Sequence, residues 1–168
     1  MAGNGAQVTD RKLLIVWHSR TGTSEALAHA AAEGAGGAAR LMYCDQVRPD
    51  DLLVAAAYLF VCPENLASMT GAMKEMFDRC YYSVLGQIEG RAYASIIAAG
   101  SDGEGAQRQL DRIATGWRLR RVSDPWIHVT GAQTPDEIST PKIVGPDALA
   151  KSRAFGLALA EGLALGIY

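Results

Sequence analysis

The chain has 168 residues, 49% of them hydrophobic, and its 16 basic and 18 acidic side chains leave a net charge of −2. Such a length and mixture suit one globular domain with a sizeable core, and the balance of charge leaves no basic face for a nucleic-acid backbone. No apolar stretch approaches membrane-spanning length, so neither nucleic acid nor membrane is expected as a partner.

Residues 1–10 lack an apolar signal region and read as a flexible tail, with residues 11–168 forming a single domain. Cys44, Cys62 and Cys80 are odd in number, widely spaced and without a C-x-x-C pair. They indicate neither a disulfide framework nor a metal site, and they fit a reducing, cytoplasmic compartment.

The first strand is expected in KLLIVW (12–17), followed by HSRTGTSE (18–25) and a helix over 23–35. Further strands are expected at 39–44, 56–62, 91–100 and 125–131, and helices at 47–55, 69–84, 104–120 and 147–165. LLIVW, YLFVC and ASIIAA are apolar throughout rather than alternating, as central parallel strands covered on both faces require. Over 69–84, Met69, Met73, Met76, Phe77, Cys80 and Val84 recur at three- and four-residue spacings and define one apolar helix face. RLRR (118–121) reads as a helix end whose cations complement the dipole. TPDEISTPKIVGPD (134–147) is the longest loop, a lid or a surface excursion. Alternating strand and helix specify an α/β domain, in which ligands sit beyond the carboxyl ends of the strands.

Ligand chemistry is therefore sought just after the strands. A helix starting near Thr23 leaves its first N–H groups without partners, and these with the dipole attract an anion. Ser19, Thr21, Thr23 and Ser24 place hydroxyls around that point, Gly22 lets the backbone approach closely, and Arg20 offers charge. Helix capping needs only one such hydroxyl, so the run reads as a phosphate cup. It lacks the lysine and glycine spacing of a Walker loop, and G-x-G-x-x-G is absent. His18 and Cys62 stand where a phosphoacceptor domain would need acidic groups.

Ser19-Arg20-Thr21-Gly22-Thr23-Ser24 after a first strand resembles the flavodoxin signature S/T-x-T-G-x-S/T, whose loop holds the phosphate of FMN. PENLASMTGAMKEMFDRCYY (63–82) is similar to the third-strand loop and following helix of flavodoxin-like NAD(P)H-dependent oxidoreductases, including the tryptophan-repressor-binding-protein type of quinone reductase. The resemblance implies a flavodoxin-like three-layer sandwich, with a five-stranded parallel sheet of order 2-1-3-4-5 and helices on both faces. It also implies FMN as cofactor, NAD(P)H as donor and a quinone, free flavin or other small-molecule electron acceptor. Ser19, Arg20, Thr21, Gly22, Thr23 and Ser24 would hold the phosphate. Pro63, Glu64, Asn65, Leu66, Ala67, Ser68 and Met69 would form one wall of the ring site, and Gly100, Ser101, Asp102, Gly103 and Gly105 the other.

Both ring loops lack Trp, Tyr and Phe, whereas electron-carrier flavodoxins typically cover the flavin with aromatic side chains. An uncovered face suits a nicotinamide or quinone and favours an enzyme with no obligatory side-chain acid or base. Two alternatives stay open: a one-electron carrier, and a binding module using the phosphate cup for another ligand. His18 and His128 read as structural strand residues and Cys62 as a buried inert thiol. Tyr81 and Tyr82 read as core or, by the resemblance, as part of a homodimer or homotetramer interface.

Overall fold

The computed structural model describes residues 12–168, so the tail expected at 1–10 lies outside the described residues. The elements run β1 (Leu13–Trp17), α1 (Thr23–Ala35), β2 (Ala39–Tyr43), α2 (Pro49–Val54), β3 (Ala57–Asn65), β4 (Ser68–Met69) and α3 (Gly71–Val84). They continue with β5 (Ala92–Ala99), α4 (Glu104–Gly116), β6 (Arg120–Arg121), β7 (Trp126–Val129), α5 (Pro135–Ser139) and α6 (Pro146–Ala164).

The sheet follows the expected order, with β2-β1-β3-β5 parallel and both β6 and β7 on the outer edge of β5. The fifth position is thus shared by two short strands. β4 adds a small antiparallel hairpin on the end of β3, pairing Glu64 with Met69 and Asn65 with Ser68. Chain direction away from the centre reverses between β1 and β3, and the crevice beyond their carboxyl ends is where such sheets place ligands.

The apolar strands are buried on both faces, and their side chains still alternate. Leu14, Val16, Tyr58, Phe60 and Cys62 face α2, α3 and α4, while Leu13, Ile15, Leu59, Val61 and Ile96 face α1 and α6. All six apolar residues assigned to the 69–84 stripe are buried. Met69 belongs to β4, however, and Thr70 is the N-cap of α3, because the chain first closes the hairpin on β3. Tyr82 is 83% exposed and Tyr81 is 39% exposed, so neither is a core residue.

RLRR does not end a helix as its charge pattern suggests. Arg118 turns left-handed (φ 55°), its N–H and that of Leu119 return to the carbonyls of Thr115 and Ala114, and Arg120–Arg121 then pair with Ala92 and Tyr93. The cations flank a sheet edge, where Arg121 meets Asp111 at 3.2 Å. No described helix is long and apolar enough to cross a membrane.

On the other face α1 and α6 meet backbone to backbone. A Cβ at Gly156 would stand 1.9 Å from the Ala31 carbonyl oxygen, and one at Gly34 would stand 1.9 Å from that of Arg153. Ser152, fully buried in this seam, donates its hydroxyl to the Leu27 carbonyl at 2.6 Å. The seam fixes α1 against the sheet and thereby fixes where its first turn points. Gly156→Val should lower unfolding stability by at least about 2 kcal/mol in a urea titration, because a backbone clash cannot be relieved by a side-chain rotation. Gly37→Ala, where a Cβ would meet nothing within 4 Å, should stay within about 0.5 kcal/mol of the parent.

Candidate functional site

The turn from β1 into α1 is built by two local contacts. Gly22 takes a left-handed conformation (φ 100°) as N-cap, and Ser19 Oγ accepts the Gly22 N–H at 3.0 Å. No side chain caps α1. The hydroxyls of Thr23 and Ser24 are buried without a hydrogen-bond partner, their residues being 4% and 1% exposed. A hydroxyl left unpaired in a protein interior costs about 1–3 kcal/mol. Capping therefore does not account for this run, whereas an anion seated on the first turn would satisfy both hydroxyls and the helix amides.

A pocket opens at this point. Ser19, Arg20, Thr21, Thr23 and Ser24 line one side, and Pro63, Glu64, Asn65 and Gly100 line another. Gly22, the N-cap of α1, is not among the lining residues. The walls anticipated from the two ring loops thus converge on the cup through their first residues. Beyond the pocket lining, the two loops also contact each other at a few points.

That engagement is specific. Glu64 accepts the Gly103 N–H at 2.9 Å through one carboxylate oxygen and the Ala106 N–H at 3.0 Å through the other, capping α4 from a distant strand. Gln109 accepts the Met69 N–H at 2.8 Å. Gly105 lies against the hairpin turn so closely that a Cβ there would be 2.2 Å from the Ala67 carbonyl oxygen, and a Cβ at Gly103 would be 2.4 Å from the Ile127 side chain. These small residues serve contacts within the protein. Leu66 and Ala67, at the hairpin tip, both adopt left-handed conformations (φ 53° and 60°), the backbone a two-residue hairpin turn requires. Leu66 is wholly exposed, Ser68 is half-buried next to it, and Ser101 and Asp102 are exposed beside the start of α4.

Of the remaining walls, sequence patterns pointed only to the 134–147 segment, as a lid or a surface excursion. Ala98 and Ala99 at the end of β5, Thr130 and Ala132 after β7, and Ile138 and Lys142 from the 134–147 segment complete the lining. That segment is a lid over the cup. Its α5 is held by a capping box between Thr134 and Glu137, and the Lys142 N–H donates to the Thr21 carbonyl at 2.7 Å. Long-range coverage of this kind leaves no local periodicity, although the Thr-Pro-Asp-Glu run was a readable helix start.

His18 lies outside the pocket lining and packs against Tyr43 with ring centroids 5.6 Å apart. Burial, reinforced by Arg20, lowers its pKa, and Nδ1 is buried and unpartnered. His128 stands in β7, and burial lowers its pKa too. Burial pushes the Cys62 thiol up to about 12, which makes it inert.

Glu64→Ala should remove the α4 cap, lowering stability by about 1–3 kcal/mol and accelerating hydrogen exchange at Gly103 and Ala106, while amides of α1 stay unchanged.

A family model described as NADPH-dependent FMN reductase matches residues 50–134, half of the chain. A flavodoxin of Aquifex aeolicus (strain VF5) is 30% identical over 108 residues, which covers 62% of this chain and 58% of that protein. Among solved structures, a flavodoxin from the domain Archaea superposes with a TM-score of 0.73 at 19% identity, covering 90% of this chain and 98% of the other. A flavodoxin, WrbA-like protein from Agrobacterium tumefaciens gives 0.72 at 18% identity, with 92% and 98% covered. These structures share the flavodoxin-like fold. With the matched region running from α2 across the hairpin, β5 and α4 to the foot of the lid, the chain belongs to the NADPH-dependent FMN reductase family.

Proposed function

We propose that this protein is an FMN-dependent oxidoreductase that takes electrons from NAD(P)H and passes them to a quinone, a free flavin or another small acceptor. The observation that carries the FMN assignment is the bare first turn of α1, with the buried, unpartnered hydroxyls of Thr23 and Ser24 facing a pocket continuous with Pro63–Asn65 and Gly100. The donor set fits a phosphomonoester. Amides and hydroxyls solvate its oxygens, and Arg20 at the exposed mouth supplies positive charge.

Bound FMN would supply the redox chemistry, exchanging two electrons with a nicotinamide or one or two with an acceptor. The protein's part is to bind and orient. The α1–α6 seam fixes the phosphate site, and the Glu64 bridge fixes the spacing between the β3 hairpin and α4. The 134–147 segment borders the cup through Ile138 and Lys142. Neither ring loop carries an aromatic side chain, which leaves a face for a second flat molecule.

A carrier reading draws support from the similarity to the Aquifex aeolicus flavodoxin. The net charge of −2 is modest for docking on a basic partner surface, which favours the reductase. Anaerobic addition of NADPH to the FMN-loaded protein separates the two. The reductase bleaches the visible flavin bands within seconds and regains them when a quinone is added. A carrier keeps its bands with NADPH and loses them only with dithionite or a protein reductase.

The Thr23→Val, Ser24→Ala pair should weaken FMN binding by at least about tenfold, measured by fluorescence quenching on titration, since charge-assisted hydrogen bonds to a phosphate contribute about 1.5–3 kcal/mol each. Both substitutions remove unpaired buried hydroxyls, so the ligand-free protein should be no less stable than the parent.

A further inference from the structure

We infer that Lys142 is a phosphate-binding residue carried by the lid: its ammonium exchanges the carbonyls of α5 for the phosphomonoester dianion when the cup fills. This rests on the reading of the cup as the phosphate site of FMN.

Three observations place the residue. Its backbone is fixed to the phosphate loop itself, through the 2.7 Å bond from its N–H to the Thr21 carbonyl. Its own carbonyl oxygen lies 3.5 Å from where a Cβ at Gly22 would stand. Lys142 also lines the same pocket as Thr23 and Ser24, whose unpartnered hydroxyls mark the anion position. The residue therefore stays beside the cup whatever its side chain does.

The side chain is poised to change partners. Nζ donates to the carbonyls of Glu137, Ile138 and Thr140, at 3.3 Å for Ile138 and 2.5 Å for Thr140. Every one of these acceptors is a neutral oxygen at the end of α5, and Ile138 itself lines the pocket. A lysine hydrogen-bonded to peptide carbonyls, with the Glu137 carboxylate as its anionic neighbour, gains when it moves to a full dianion, and its flexible four-carbon stem allows this without moving the backbone. Arg20, exposed at the mouth, lacks such an anchor across the cup. The 134–147 segment thus acts as a strap that carries a cation as well as a cover, and ligand selection by it is selection for the phosphate.

Titrations of the full-length protein with FMN and with riboflavin, which lacks the phosphate, test this. Lys142→Met should weaken FMN binding by about ten- to hundredfold and leave riboflavin within about twofold. Lys142→Arg should retain most of the preference for FMN. Thr134→Ala, which loosens the α5 cap without touching charge, should leave the FMN-to-riboflavin affinity ratio unchanged. An equal loss of both ligands in Lys142→Met, or no loss of either, would overturn the assignment while leaving the cup intact. A parent protein that binds FMN no better than riboflavin would overturn the cup and this inference together.

Discussion

The unpaired amino end of α1 is the constraint around which the molecule is arranged. A helix that begins without a side-chain cap, above two buried hydroxyls that nothing in the fold satisfies, carries a cost that a stable domain would ordinarily avoid. An anion removes that cost. The left-handed Gly22 turns the chain sharply enough for the first amides to face outward from the end of β1. Placing this turn at the sheet's switch point sets the cup between the ends of β1, β3 and β5.

Two other features make the cup useful. Close backbone packing of α1 on α6, possible only with glycine at 34 and 156, prevents the helix from drifting off the sheet. The Glu64 carboxylate ties β3 to α4 through two amide hydrogen bonds, so the two loops beside the cup behave as one wall. A side chain that might be taken for a contact to a ring edge thus spends both oxygens on architecture. The glycines of the second loop likewise accommodate the hairpin and Ile127.

Much of this was legible in the sequence, and the limits have physical causes. Continuous apolar strands and the apolar period read over 69–84 follow from burial, so the central strands and helix faces could be read directly. The strand order came from the resemblance of the two loops to flavodoxin-like proteins. The hydroxyl-rich turn was legible because it exceeds what capping needs, and the structure removes the capping explanation altogether. The family match begins at residue 50, beyond this turn, so the cup stands on geometry independent of it. What could not be read were contacts distant in sequence: the Glu64 cap on α4, the strap over Thr21, and the conversion of RLRR from helix end to sheet edge. Each depends on where two segments meet, and local periodicity carries no record of that.

The account stands on the anion cup, and backbone amide NMR during titration with FMN tests it most directly. The largest shifts should fall on residues 19–24, with a second set at 63–65, 100 and 130–142. Binding that leaves the amides of Gly22, Thr23 and Ser24 unmoved would contradict it.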